Sequence, residues 1–125
     1  MKLSLNCIII FRQNIDMLKS FYIDALNLEL IEEIKSEWVV LGAGNCEIGL
    51  HKVGIEYQLP PEKEFKVDSN SKLVFEIDSD IFEVREILIK KNVLLREIKT
   101  FDNYEYWLCD GEDPEGNVFQ LKQRK

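Results

Sequence analysis

DPEGNVFQL, residues 113–121, runs turn chemistry directly into strand chemistry. Pro114 presets φ, Gly116 accepts positive φ at no steric cost, and the Asp113 side chain can cap its own backbone, so the segment opens with a tight turn. Val118, Gln120 and Lys122 then alternate with Phe119 and Leu121, the period-2 pattern of a strand with one buried face. The stretch closes a hairpin and aims Gln120, a neutral amide, at one face of a sheet.

Working backwards, SKLVFEID (71–78) reads as a strand and SDIFEVREILIKKN (79–92) as a helix, with Asp80 and Glu83 at capping-box spacing and Asn92 at its stop. Strands are expected near 93–100, 104–109 and 117–122. The first half has the same order. Leu3–Phe11 is a strand, and NIDMLKSFYIDAL (14–26) is an amphipathic helix capped by Asn14 and ended by Asn27. Strands 28–35, 37–42 and 46–52 follow, the last two joined by a turn around Gly42, Ala43, Gly44 and Asn45. Residues 53–70, with Gly54, Pro60, Pro61 and mixed charge, read as a connector. The expected fold is α+β, a βαβββ module repeated within one domain spanning 1–125, with module one at 1–52 and module two at 71–125.

Composition narrows the class. A chain of 125 residues that is 46% hydrophobic has enough apolar mass for one globular core. Its longest early apolar run, Cys7 to Phe11, is far short of the roughly 20 residues a membrane helix needs, and it lacks a signal-peptide layout. A cytoplasmic protein without a membrane partner is expected. Sixteen Lys and Arg against 23 Asp and Glu leave a net charge of −7, which disfavours nucleic acid and suits cationic or neutral small molecules. Cys7, Cys46 and Cys109 are odd in number and show no paired spacing, so reduced thiols are expected rather than disulfides or a zinc cluster.

FYIDALNLEL (21–30) resembles the FYxxxLGLxL stretch, and DPEGNVFQL the DPDGNxIEL stretch, of the vicinal-oxygen-chelate superfamily. That superfamily includes glyoxalase I, bleomycin-resistance proteins, fosfomycin-resistance enzymes and extradiol dioxygenases. The resemblance spans nearly the whole chain. It implies a cup-shaped, mostly antiparallel sheet with helices on its outer face, a ligand in the cup, and a homodimer that builds the cup by pairing or swapping modules. It also implies a divalent metal held by one side chain from each of four strands. By the same resemblance, those positions fall on Cys7, Gly49, Lys72 and Gln120. Gly49 has no donor, Lys72 carries a charge that repels a cation, and thiolate with amide poorly matches a hard metal. No metal or other cofactor is therefore expected.

A displaced site of His51, Glu47, Glu76 and Gln120 is the alternative, because Glu47 and His51 share the face of Gly49, and Glu76 shares that of Lys72. Lys72, paired with Glu76, could instead supply a positive centre without metal. Trp38, Tyr104, Tyr106 and Trp107 are candidate aromatic walls, with the two tyrosines on the face opposite Trp107. Two functions follow from the resemblance. The first is a metal-free binding module of the bleomycin-resistance type that sequesters a small molecule. The second is a metal-dependent lyase, transferase or dioxygenase with non-standard ligands. The missing donors at Gly49 and Lys72 favour the first.

Overall fold

The computed structural model describes residues 1–2, 4–61, 63 and 71–125. They fall into two compact units, Met1–Phe65 and Lys66–Lys125. The first contains β1 (Cys7–Arg12), α1 (Ile15–Asp24), β2 (Glu29–Ile34), β3 (Trp38–Ala43) and β4 (Cys46–Lys52), followed by a 3-10 turn at Ile55–Tyr57. The second contains β5 (Leu73–Glu76), α2 (Ile81–Lys90), β6 (Leu94–Leu95), β7 (Tyr106–Glu112) and β8 (Val118–Arg124). Each unit is a βαβββ module. Each carries its own four-stranded mixed sheet, ordered β1-β4-β3-β2 and β5-β8-β7-β6. The first and last strands of each module run parallel and the other pairs antiparallel.

The helix ends form where the residue types demand. Asn14 accepts the Met17 amide at 3.0 Å, and Asp80 accepts those of Phe82 and Glu83 at 2.8 and 3.2 Å. Asn27 and Asn92 take left-handed φ of 58° and 64° just beyond the two helices, the conformation asparagine tolerates better than most residues. On α1, Ile15, Leu18 and Tyr22 are buried at helical spacing, and the helix packs on β3 and β4. Those strands bury Val39, Leu41, Ile48 and Leu50. Fully burying one such side chain contributes about 2 kcal/mol, so packing rather than intrinsic propensity holds a helix of ten residues.

The strand expected at 71–78 is confined to Leu73–Glu76, where β8 pairs with it, and the one expected at 104–109 runs Tyr106–Glu112, the length of its ladder with β8. Two other strands depart further. β1 starts at Cys7 rather than Leu3, because its partner β4 starts at Cys46 and the ladder opens only at the Glu47 N–H to Asn6 C=O bond of 2.8 Å. Leu3 itself lies outside the described residues, as do 62 and 64–70 of the expected connector. The strand expected at 93–100 shrinks to Leu94–Leu95. Pairing resumes at a lone Lys99–Leu108 bridge with the register slipped by one residue, which interrupts the ladder. No helix among the described residues is long and apolar enough to cross a membrane.

The 113–117 turn is built around Asp113, which is 3% exposed. Its carboxylate accepts the backbone amides of Glu115 and Asn117, each at 2.9 Å, and the Asn117 side-chain amide at 2.5 Å. Gly116, at φ 83°, lets the chain reverse into β8.

Candidate functional site

Each sheet has one face under its helix and one open face. In the second unit, Phe119, Leu121 and Cys109 are buried on the helix side. The β7–β8 register sets Asp110 opposite Gln120, with Tyr106, Leu108, Lys122 and Arg124 on the same open face. Asp110 is only 9% exposed, yet both of its oxygens are engaged. The Gln120 amide nitrogen donates to Oδ1 at 2.9 Å, and Lys72 Nζ, reaching across β8, donates to Oδ2 at 3.0 Å. A second ammonium, that of Lys99, stands 3.9 Å from Oδ2. This explains the neutral amide at position 120: a glutamate there would set two carboxylates against each other.

Burial pushes the Asp110 carboxyl up, but the hydrogen bonds from Gln120 and Lys72 and the charges of Lys72 and Lys99 outweigh it and hold the group below its ordinary value. A carboxyl depressed in the folded state stabilises in full above its unfolded pKa of about 3.9 and loses that contribution as pH falls through the folded value. The melting-temperature gap between wild type and Asp110→Asn should therefore narrow as pH drops below about 4. A gap constant from pH 5 to pH 2 would contradict this reading of the network.

Lys72 thus pairs with Asp110 and not with Glu76. Glu76 lies four residues further along, roughly 13 Å at strand rise, whereas Asp110, two strands across, is level with Val74 and so within reach of the long Lys72 side chain. Glu76 is exposed and opposite Lys122, whose ammonium instead lies 4.1 Å from the Tyr106 ring centroid. Tyr104 packs against Tyr106 at 5.7 Å. Trp107 is separate from both: it packs edge-on against Phe82 of α2 at 5.3 Å, on the helix-covered face. It therefore does not share the tyrosines' wall.

In the first unit, Cys7, Glu47, Gly49, His51 and Trp38 fall on the open face by register. His51 is flanked by Phe11 at 5.2 Å and Trp38 at 5.7 Å, and its Nδ1 lies 2.8 Å from the Lys52 carbonyl. The bulge between Leu30 and Glu32 brings Glu32 within reach of the indole, and Trp38 Nε1 donates to its carboxylate at 2.8 Å. The indole lies over Gly49, where an added Cβ would meet Trp38 Cη2 at 2.6 Å. Gly49 is the floor on which Trp38 rests.

No protein-family model matches the chain, and no curated protein matches it by sequence. Solved structures do match. A lactoylglutathione lyase from Agrobacterium tumefaciens superposes with a TM-score of 0.72 at 15% identity, covering 96% of this chain and 92% of that one. An antibiotic-binding protein from a Streptomyces species gives 0.75 at 17% identity, covering 100% and 99%. An integron cassette protein of V. cholerae gives 0.75 at 19%, covering 100% and 98%. The chain has the vicinal-oxygen-chelate fold. At these identities the likeness is one of fold.

The metal that this fold family implies does not suit the residues present. Gly49 offers no donor and the Trp38 ring fills the space above it. Lys72 and Gln120 are both committed to Asp110. Burial pushes the Cys7 thiol up and the Glu47 carboxylate adds to the shift, which disfavours the thiolate a metal would need. The alternative set fares no better. Glu47 and His51 lie four residues apart on β4, again roughly 13 Å. Among the described residues, no group of three or more His, Cys, Asp or Glu converges as ligands would.

The element order and the alternation of faces were accessible from sequence, but Asp110 was missed. YWLCDGE alternates so as to place Asp110 with Tyr106, a signal that was available. Its partnership with Lys72 and Gln120 needed the β7–β8 register.

Proposed function

We propose that the chain is a small-molecule-binding protein that holds a planar, cationic or neutral ligand without a metal. The observation that carries this reading is the aromatic shelf of the first unit. Phe11, His51 and Trp38 line one open sheet face, and Trp38 occupies the space where a metal-ligating side chain would stand. Aromatic faces attract cations and flat rings, and the net charge of −7 and the carboxylates of Glu32 and Glu47 around the shelf reinforce that preference. The likeness to an antibiotic-binding protein supports the same reading.

The test is a fluorescence titration of a Trp107→Phe background, in which Trp38 is the remaining indole, with benzamidine and an acridinium dye. Saturable quenching by these cations, insensitive to chelator and absent with benzoate, is expected. Binding that requires added zinc or nickel, or no saturable quenching by either cation, overturns the proposal. We place the protein in solution as a homodimer, a reading supported by the exposed edge strand β2 with Ile31 and Ile34, 51% and 62% exposed. A monomer mass by light scattering at micromolar concentration would refute that placement.

A further inference from the structure

Among the described residues, the open face of the second unit carries more positive charge than its own ion pairs neutralise. Asp110 has one negative charge, already matched by Lys72 at 3.0 Å, with the Gln120 amide on its other oxygen. Lys99, 3.9 Å from the same carboxylate, is a second cation beyond neutrality. Both ammonium-bearing side chains are open to solvent, Lys72 by 38% and Lys99 by 51%, while the Asp110 side chain beneath them is 12% exposed. Each ammonium has three donors, and a single carboxylate accepts few of the six. Because the Gln120 nitrogen is turned to Asp110, the amide is fixed in orientation rather than free to rotate.

We propose that this face is a binding site for a carboxylate group of a small ligand, with Lys72 and Lys99 as its cationic contacts and the Asp110–Gln120 pair as its floor. Two ammoniums over one carboxylate leave a local charge of about +1, which matches a monoanion and leaves a dianionic phosphate half-compensated. The buried floor fixes where Lys72 stands, so less side-chain entropy is lost when an anion arrives. Lys122 is held over the Tyr106 ring at 4.1 Å and takes no part. The site is built from residues of the second unit alone and does not rest on the reading given to the aromatic shelf.

The experiment is an NMR titration of 15N-labelled protein with sodium benzoate, at ionic strength held constant with chloride, following the Gln120 side-chain amide and the Asp110 backbone amide. Saturable shifts at both are expected, at least tenfold weaker in Lys99→Met and unchanged in Lys122→Met. Lys99→Met leaves the Lys72–Asp110 pair intact, so its folding does not confound the result; Lys72→Met is the second variant, read only where its spectrum stays dispersed. The proposal fails if no saturable shift occurs, if Lys99→Met binds as well as wild type, or if inorganic phosphate displaces benzoate at lower concentration than benzoate itself requires. Loss of Trp38 quenching by planar cations, with the benzoate response intact, would count against the shelf alone.

Discussion

Asp113→Ala should lower the unfolding free energy by about 3 kcal/mol, through loss of hydrogen bonds to a charged group worth about 1.5–3 kcal/mol each before relaxation. The carboxylate accepts two backbone amides and one side-chain amide at 2.5–2.9 Å, and the residue is 3% exposed. Removing it strands the amides of Glu115 and Asn117 inside the turn. For a domain of this size the loss corresponds to a fall of about 10 °C in Tm, measurable by calorimetry or circular dichroism. Asp113→Asn keeps one acceptor oxygen and should recover part of the difference. A Tm within 2 °C or so of wild type for the alanine variant, a change of well under 1 kcal/mol, would show that water or neighbouring groups satisfy the turn without Asp113.

Gly111→Ala should be comparably damaging for the opposite reason, an excess of matter. A Cβ at Gly111 would stand 2.6 Å from both Phe119 Cζ and Leu95 Cδ2 and 3.0 Å from the Leu94 carbonyl oxygen. Phe119 is fully buried and the carbonyl belongs to the β6 backbone, so neither can swing aside as an exposed side chain could. Overpacking of this kind costs about 1–3 kcal/mol, and the backbone contact places this case at the upper end. The same mutation should loosen the two-residue β6, visible as faster amide exchange at Leu94 and Leu95. Unchanged exchange and Tm would mean that the methyl is accommodated without loosening β6, and would overturn the expectation.

What could be read from the chain was whatever is local. Asn14 and Asp80 announce helix starts, Asn27 and Asn92 announce stops, and Asp113–Gly116 announce the final hairpin, because each acts on backbone groups within a few residues. The alternation in LVFE and VFQLK likewise assigned Leu73, Phe75, Phe119 and Leu121 to the helix side. The misses are all non-local. Lys72 was matched to Glu76 because both sit on one strand face, while its partner Asp110 lies 38 residues away and is brought near only by the pairing of β5 with β8 and β8 with β7. The shortening of β6 follows from a one-residue register slip, which no local propensity encodes. Gly49 read as a missing donor; the structure adds that it is a cleared space, a fact about Trp38 eleven residues earlier.

That last pairing makes positions 38 and 49 a single design variable. A larger residue at 49 meets the Trp38 ring at 2.6 Å, and a smaller residue at 38 uncovers a bare glycine and releases the Glu32 carboxylate from its indole donor. Their energetic effects are therefore coupled rather than additive. Any route from this sequence toward a donor at position 49 crosses a less favourable intermediate unless both residues change together. Among sequences of this fold the two positions are then expected to change together, an aromatic over a glycine or a larger residue beneath a small one.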